Sequence, residues 1–260
     1  MTGTTTLGAA VRSAGVAELV WRRSEQPPGA LGVVPLWLGD RPAVALPWAQ
    51  VEAARAAAAG GEAALVLSDP RLTGPGWEPL VATGRLTLVE DGDGSLFTEQ
   101  LLDQELRKHP PSRALADSPM LRREHWWYLP RLVLLLDPVD VVPGGRRDGP
   151  ADAVLAVDDD GLHVRTVRVI DWDADPLSLT GAPPDVRGPA VLVGQELSVP
   201  DVERWTVHVT SGHAADGRLT EVQPAEDRAL EPVPGLRARV RRQRALERGC
   251  VQALRAAGHR

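Results

Sequence analysis

LRREHWWYLPRLVLLLDPVDVV, residues 121–142, sets three of the chain's ten aromatic residues, Trp126, Trp127 and Tyr128, directly before an apolar run. The run at 132–136 is too short to show a period and suits a buried strand or a piece of buried helix. Its flanks decide for a strand. Pro130 and Pro138 bracket it, Val139, Val141 and Val142 continue it, and Pro143-Gly144-Gly145 closes it. The three aromatic residues thus stand at the entrance to a strand.

Working back from there, residues 95–109 place Phe97, Leu101, Leu102 and Leu106 on one helical face, with Ser95 as the expected N-cap. Residues 79–94 alternate apolar and polar, as a strand pair or one long bent strand would, and 62–70 read as a strand. Residues 49–59 are alanine-rich and stop at Gly60-Gly61, which predicts a helix. Residues 30–48 form two strands around a Gly39-Asp40 turn, preceded by a turn at 24–29 and a strand at 17–23. Working forward, GGRRDGP at 144–150 is the expected linker between a first domain, 1–145, and a second β-rich half, 146–260. Strands follow at 151–157, 162–172, 176–181, 189–197 and 204–210, with a turn at 158–161. A helix over about 235–257 repeats Leu246, Cys250 and Leu254 along one face.

An echo links the halves. ALVLSDPRLTGPGWEPLVATG (64–84) and AVLVGQELSVPDVERWTVHVTSG (190–212) share an apolar strand, a polar interval and the spacing Trp-x₃-Val-x₂-Gly. Trp77, Val81 and Gly84 thus match Trp205, Val209 and Gly212, the pattern of an internal repeat.

Composition restricts the function. With 43% hydrophobic and 25% charged residues the chain is globular. It has no apolar stretch of the roughly 18 residues a spanning helix needs. MTGTTTLGAAVRSAG lacks the basic leader and apolar segment of a secretory signal, so a soluble, cytoplasmic protein without membrane partners is expected. Cys250 is the only cysteine, which excludes an internal disulfide. A net charge of −6 argues against nucleic acid as a partner. The single lysine, Lys108, among 29 Lys and Arg marks a composition in which any one arginine is weak evidence of a phosphate contact. GxSxG, P-loop and post-strand GxGxxG motifs are missing, and the histidines show no metal-ligand spacing, so no catalytic residue and no metal site are assigned. Asp158-Asp159-Asp160-Gly161 lacks an EF-hand's ligand spacing and reads as a hairpin turn.

The order of elements over residues 17–145 resembles the FMN-binding split-barrel superfamily, which includes pyridoxamine 5′-phosphate oxidase-like proteins and deazaflavin-dependent reductases. The strings that carry it are AELVWRRSEQPPGALGVVPLW, GDRPAVALPW leading into the 49–59 helix, ALVLSDP, VATGRLTLVED, and YLPRLVLLLDPVDVVPGG. The resemblance implies a mainly β (α+β) fold, a split β-barrel with flanking helices, in which residues 146–260 are a degenerate second copy. Such proteins are usually homodimers with flavin sites between their barrels. A tandem chain would be a pseudo-dimeric monomer, and a single barrel with an unrelated extension a homodimer.

The resemblance further implies a flavin- or deazaflavin-dependent oxidoreductase acting on a small-molecule substrate, with FMN or the deazaflavin F420 as cofactor. Arg55 and Arg71 become the phosphate contacts, Trp48 lies at a strand-to-helix junction beside the ligand, and Trp126 and Trp127 form a stacking platform. Each assignment competes with a simpler one. Arg55 suits an exposed helix position, and the indoles suit a core. The rival function is a non-catalytic scaffold or a binding module for haem or another hydrophobic ligand.

Overall fold

The protein was analysed as a computed structural model that describes residues 6–24, 26–222, 229–230 and 232–259. The first half opens with helix α1 (Leu7–Ser13) and strands β1 (Ala17–Arg23), β2 (Gln26–Val33), β3 (Leu36–Leu38) and β4 (Arg41–Pro47). Helix α2 (Val51–Ala59), β5 (Ala63–Leu67), β6 (Leu80–Asp91), α3 (Leu102–Lys108), α4 (Arg113–Ala116), α5 (Pro119–Glu124) and β7 (Arg131–Pro143) complete it. The second half contains β8 (Asp152–Asp158), β9 (Leu162–Val169), β10 (Leu177–Thr180), β11 (Gly188–Leu197), β12 (Trp205–Ala215) and β13 (Arg218–Thr220), and ends in α6 (Leu236–Ala256).

The first seven strands form one antiparallel sheet in the order β2-β1-β5-β6-β7-β4-β3. The other six close into a barrel, β10-β13-β12-β11-β8-β9. A closed barrel flanked by helices beside a second β-rich sheet is the mainly β, split-barrel α+β architecture expected from the sequence. No helix among the described residues is long and apolar enough to cross a membrane.

The opening stretch runs further than its prolines suggested. β7 continues through Pro138 because the β6–β7 ladder shifts register between Thr83 and Gly84 and leaves Val139 unpaired. A bulge is where a strand tolerates a residue without an N–H. Gly84 is required there, since a Cβ would lie 2.1 Å from the Asp137 carbonyl oxygen.

Other expectations need correction. Gln26 to Gly29 belong to β2 rather than to a turn. β2 lies at the end of its sheet, where proline costs no ladder bond, and Gly29 leaves room for the Trp21 indole, 2.3 Å from where a Cβ would stand. Ser95 lies inside the helix instead of capping it. The Asp91 carboxylate takes the cap by accepting the N–H groups of Leu96 and Phe97, and residues Phe97–Leu101 wind as a π-helix before α3. The strand read at 204–210 extends to Ala215 and turns back through Asp216-Gly217, both at positive φ, into β13.

The two sheets share one strand order. If β1, β2, β4, β5, β6 and β7 are set against β8, β9, β10, β11, β12 and β13, then β2-β1-β5-β6-β7-β4 becomes β9-β8-β11-β12-β13-β10. The registers agree as well. Ala63 pairs with Gly84 and Val66 with Val81, as Ala190 pairs with Gly212 and Val193 with Val209. The Val and Gly of the sequence echo therefore occupy the same ladder positions in both sheets.

Each half has its own core, and a third apolar cluster joins them. Val20, Ala64, Val66 and Val81 of the first sheet pack against Val154, Ala156, Leu162, Val191 and Val193 of the barrel. β1 and β5 face β8 and β11, their counterparts in this matching, and β6 and β9 add Val81 and Leu162. α6 returns to the first half, burying Cys250 and Leu254 in the core that holds Trp48 and Trp127.

Candidate functional site

The five residues assigned from sequence lie in different settings, with Trp48 and Trp127 in one core. Trp48 is wholly buried, with its ring 5.1 Å from that of His259 in an edge-on contact. Trp127 is also buried, edge-on to Tyr128 at 6.0 Å, while Trp126 is 47% exposed. Arg55 lies on the surface, its Nε 2.9 Å from the Glu90 carboxylate. Arg71 grips Asp69 at 2.7 Å and reaches Glu196 of the barrel at 3.0 Å. Both arginines expected to face a phosphate are thus paired with carboxylates, and the two deep indoles are packed as core.

Arg71 belongs to a polar cluster at one end of the seam. Its centre is Glu18, buried in β1, which accepts from Ser68 Oγ (3.0 Å), Gln195 Nε2 (2.8 Å) and Arg147 Nη1 (3.1 Å). Burial pushes the Glu18 carboxyl above its ordinary range, against the opposing pull of Arg147 and the Ser68 hydroxyl. Arg147 comes from the expected linker, yet it is buried and also donates to the carbonyls of Asp152 and Gln195. Gln195 in turn accepts from Trp205 Nε1 at 2.9 Å. The Trp205 indole and Val207 cross the seam onto Gly32, where a Cβ would come within 2.5 Å of Val207.

Away from that cluster the seam opens. A groove of about 530 Å³ runs between β6 and β7 on one side and β9 with the 183–186 loop on the other. Val81, Val142, Leu162, Val164 and Val186 supply apolar wall, and Gly144 and Gly145 contribute bare backbone. A side chain at Gly145 would strike Thr166, whose hydroxyl donates to the Gly145 carbonyl at 2.9 Å. Thr83, His163, Arg165 and Asp185 are its polar residues.

His163 is exposed, close to the β8–β9 turn. Its Nε2 lies 2.9 Å from the Asp159 carbonyl oxygen. With that nitrogen donating, Nδ1 carries the lone pair. Among the described residues no three His, Cys, Asp or Glu side chains gather in a cluster that could hold a metal ion.

Sequence reasoning missed the groove because its walls come from segments as far apart in the chain as Val81 and Val186. The one local clue was the adjacency of Gly144-Gly145 to a strand end.

No protein-family model and no curated protein matches the chain. Solved structures are similar to it at a distance. A protein of unknown function from Agrobacterium tumefaciens shares 13% identity at a TM-score of 0.37 over 53% of this chain and 54% of that one. The chain thus spans about half the length of that protein. A pyridoxamine 5′-phosphate oxidase-related, FMN-binding protein from Nostoc punctiforme shares 14% identity at a TM-score of 0.30, over 75% and 85% of the two chains. A heme-binding protein from Mycobacterium smegmatis shares 13% at a TM-score of 0.34, over 94% and 96%.

Proposed function

We propose that this chain is a single-chain counterpart of a split-barrel dimer, residues 1–145 and 146–260 forming a diverged tandem pair, and that it binds one planar, mainly apolar ligand of the haem class in the seam groove. The observation that carries the reading is the groove itself, apolar walls with the exposed His163 at its edge, one imidazole nitrogen within hydrogen-bond distance of a backbone carbonyl. Neutral imidazole is a common ligand of haem iron, so His163 would hold the iron and the apolar walls would shield the macrocycle from water. Ligand pockets span roughly 300–1,000 Å³, a range that includes this groove.

A second reading, an FMN- or F420-dependent oxidoreductase, draws on Arg165 at the same groove. A phosphate favours several charge-assisted donors, and here Arg165 is the one arginine lining the groove while Arg55 and Arg71 are engaged elsewhere. When bound, a flavin would supply hydride transfer at its ring. Arg165 would hold its phosphate, and Val142 and Val164 would exclude water from the ring.

Titration of the purified protein with haemin, FMN and F420, read by absorption, separates the readings. A haemin Soret shift abolished by His163→Ala and by groove-filling Val164→Trp supports haem binding. Flavin binding that depends on Arg165 supports the second reading. Binding of none of the three removes the groove as a site for either class.

A further inference from the structure

A second cleft lies apart from the groove, and its chemistry is different. It measures about 510 Å³ and is enclosed by α1, β3, α3, the loop after β5 and the β11–β12 connection. Three cations line it, Arg12, Arg107 and Lys108, and no carboxylate does. Among the described residues none of the three has a carboxylate partner within 4.0 Å, whereas Arg22, Arg41, Arg55, Arg71, Arg131, Arg147 and Arg168 all have one. The cleft therefore collects unneutralised positive charge in a chain whose net charge is −6.

Its geometry is braced. The Arg12 guanidinium lies over the Trp37 ring at 5.0 Å. Gln104 fixes that stretch of β3, donating to the Trp37 carbonyl at 2.8 Å and accepting its N–H at 2.9 Å. Lys108 is the chain's only lysine, and its ammonium is anchored by the carbonyls of Val11 and Pro35. Burial, followed by repulsion from Arg107 and Arg12, pushes its pKa down to about 7. Of the other titratable groups near it, Glu105 is turned to Ser112, Tyr128 and Arg131, and His109 is bonded to Ser112.

We infer that this cleft is a binding site for a small polyanion, a phosphate-bearing molecule held by Arg12, Arg107 and Lys108. Like charges gathered without a counter-charge repel, and a dianion among them relieves that repulsion while supplying acceptors for all three. Arginine offers a fork that matches two phosphate oxygens, and lysine adds a point charge. The site is independent of the seam groove and stands whether or not the groove binds a ligand.

Calorimetric titration of the full chain tests this with three probes: inorganic phosphate, pyrophosphate, and sulfate, whose charge stays fixed with pH. The expected result is saturable binding, tightest for pyrophosphate, with the Kd raised about tenfold or more in Arg107→Glu, an exposed position whose exchange leaves the fold intact. Sulfate should bind more weakly as pH rises from 6 to 8.5, because Lys108 loses its proton through about 7, and Lys108→Met should remove that dependence. Val164→Trp, which fills the groove, should leave phosphate binding unchanged. Absence of saturable binding, or binding indifferent to Arg107→Glu, would overturn the proposal.

Discussion

The two ends of the seam start from the same framework and carry opposite chemistry. By register, Glu18 occupies the position in the first sheet that Val154 holds in the barrel, and Gly32 the position of Thr166. Around Glu18 the seam is pinned by a buried ion pair, two further hydrogen bonds and an indole laid over Gly32. At the counterpart end a threonine bonds to the linker, and the space beside it opens as a groove. Trp77 and Trp205 repeat the contrast. Trp77 turns into its own half and donates to the Ala10 carbonyl, whereas the Trp205 indole donates to Gln195 of its own half while its ring edge lies against Gly32 of the other. One end of the seam thus fixes the halves, and the other opens as the groove.

The contrast is broken most severely at Arg147. Its removal leaves Glu18 charged, buried and without its counter-ion, so Arg147→Ala should cost about 3–5 kcal/mol in chemical denaturation. Replacing both partners, Glu18→Val with Arg147→Met, makes the pinned end resemble the Val154 end. That pair removes the uncompensated charge and should recover part of the loss, the rest remaining because the carbonyls of Asp152 and Gln195 and the donors of Ser68 and Gln195 lose their partners. A double variant as unstable as the single one would refute the equivalence.

A smaller effect follows from exchanging Gly32 for its counterpart's residue. Gly32→Thr drives a side chain into Val207 and Trp205 and should cost about 1–3 kcal/mol. Thr166→Ser keeps the hydroxyl that holds Gly145 and should change stability by less than about 1 kcal/mol. The least effect belongs to Arg55→Ala. Its pairing with Glu90 is exposed and should contribute about 0.5 kcal/mol or less, and ligand binding in the groove should be untouched.

How far the sequence could be read follows the range of the interactions. Strands β1, β4, β5 and β6, helix α2 and the long C-terminal helix were legible because alternation, helical period and glycine stops are local signals. β2 was obscured by Pro27 and Pro28, which are harmless at a sheet edge but look like a turn before the sheet is known. α1 and the short helices over 110–128 carried too little periodicity to be read at all.

Partnership was the least legible level. Arg55 meets a carboxylate 35 positions away, which its sequence context does not show, whereas Arg71 meets Asp69 two positions before it as well as Glu196, 125 positions away, so half of its pairing was a local signal. Lys108 was the overlooked clue. A lone lysine in an arginine-rich chain was noted as composition, while its place between Arg12 and Arg107 depends on α1 folding back over α3.

The most direct test of the divided seam is the equivalence point of a haemin titration, followed at the Soret band on chains of known concentration. One haemin per chain, with no saturable binding in His163→Ala, is the result this account predicts. Two per chain, or one that survives both His163→Ala and Val164→Trp, would contradict it.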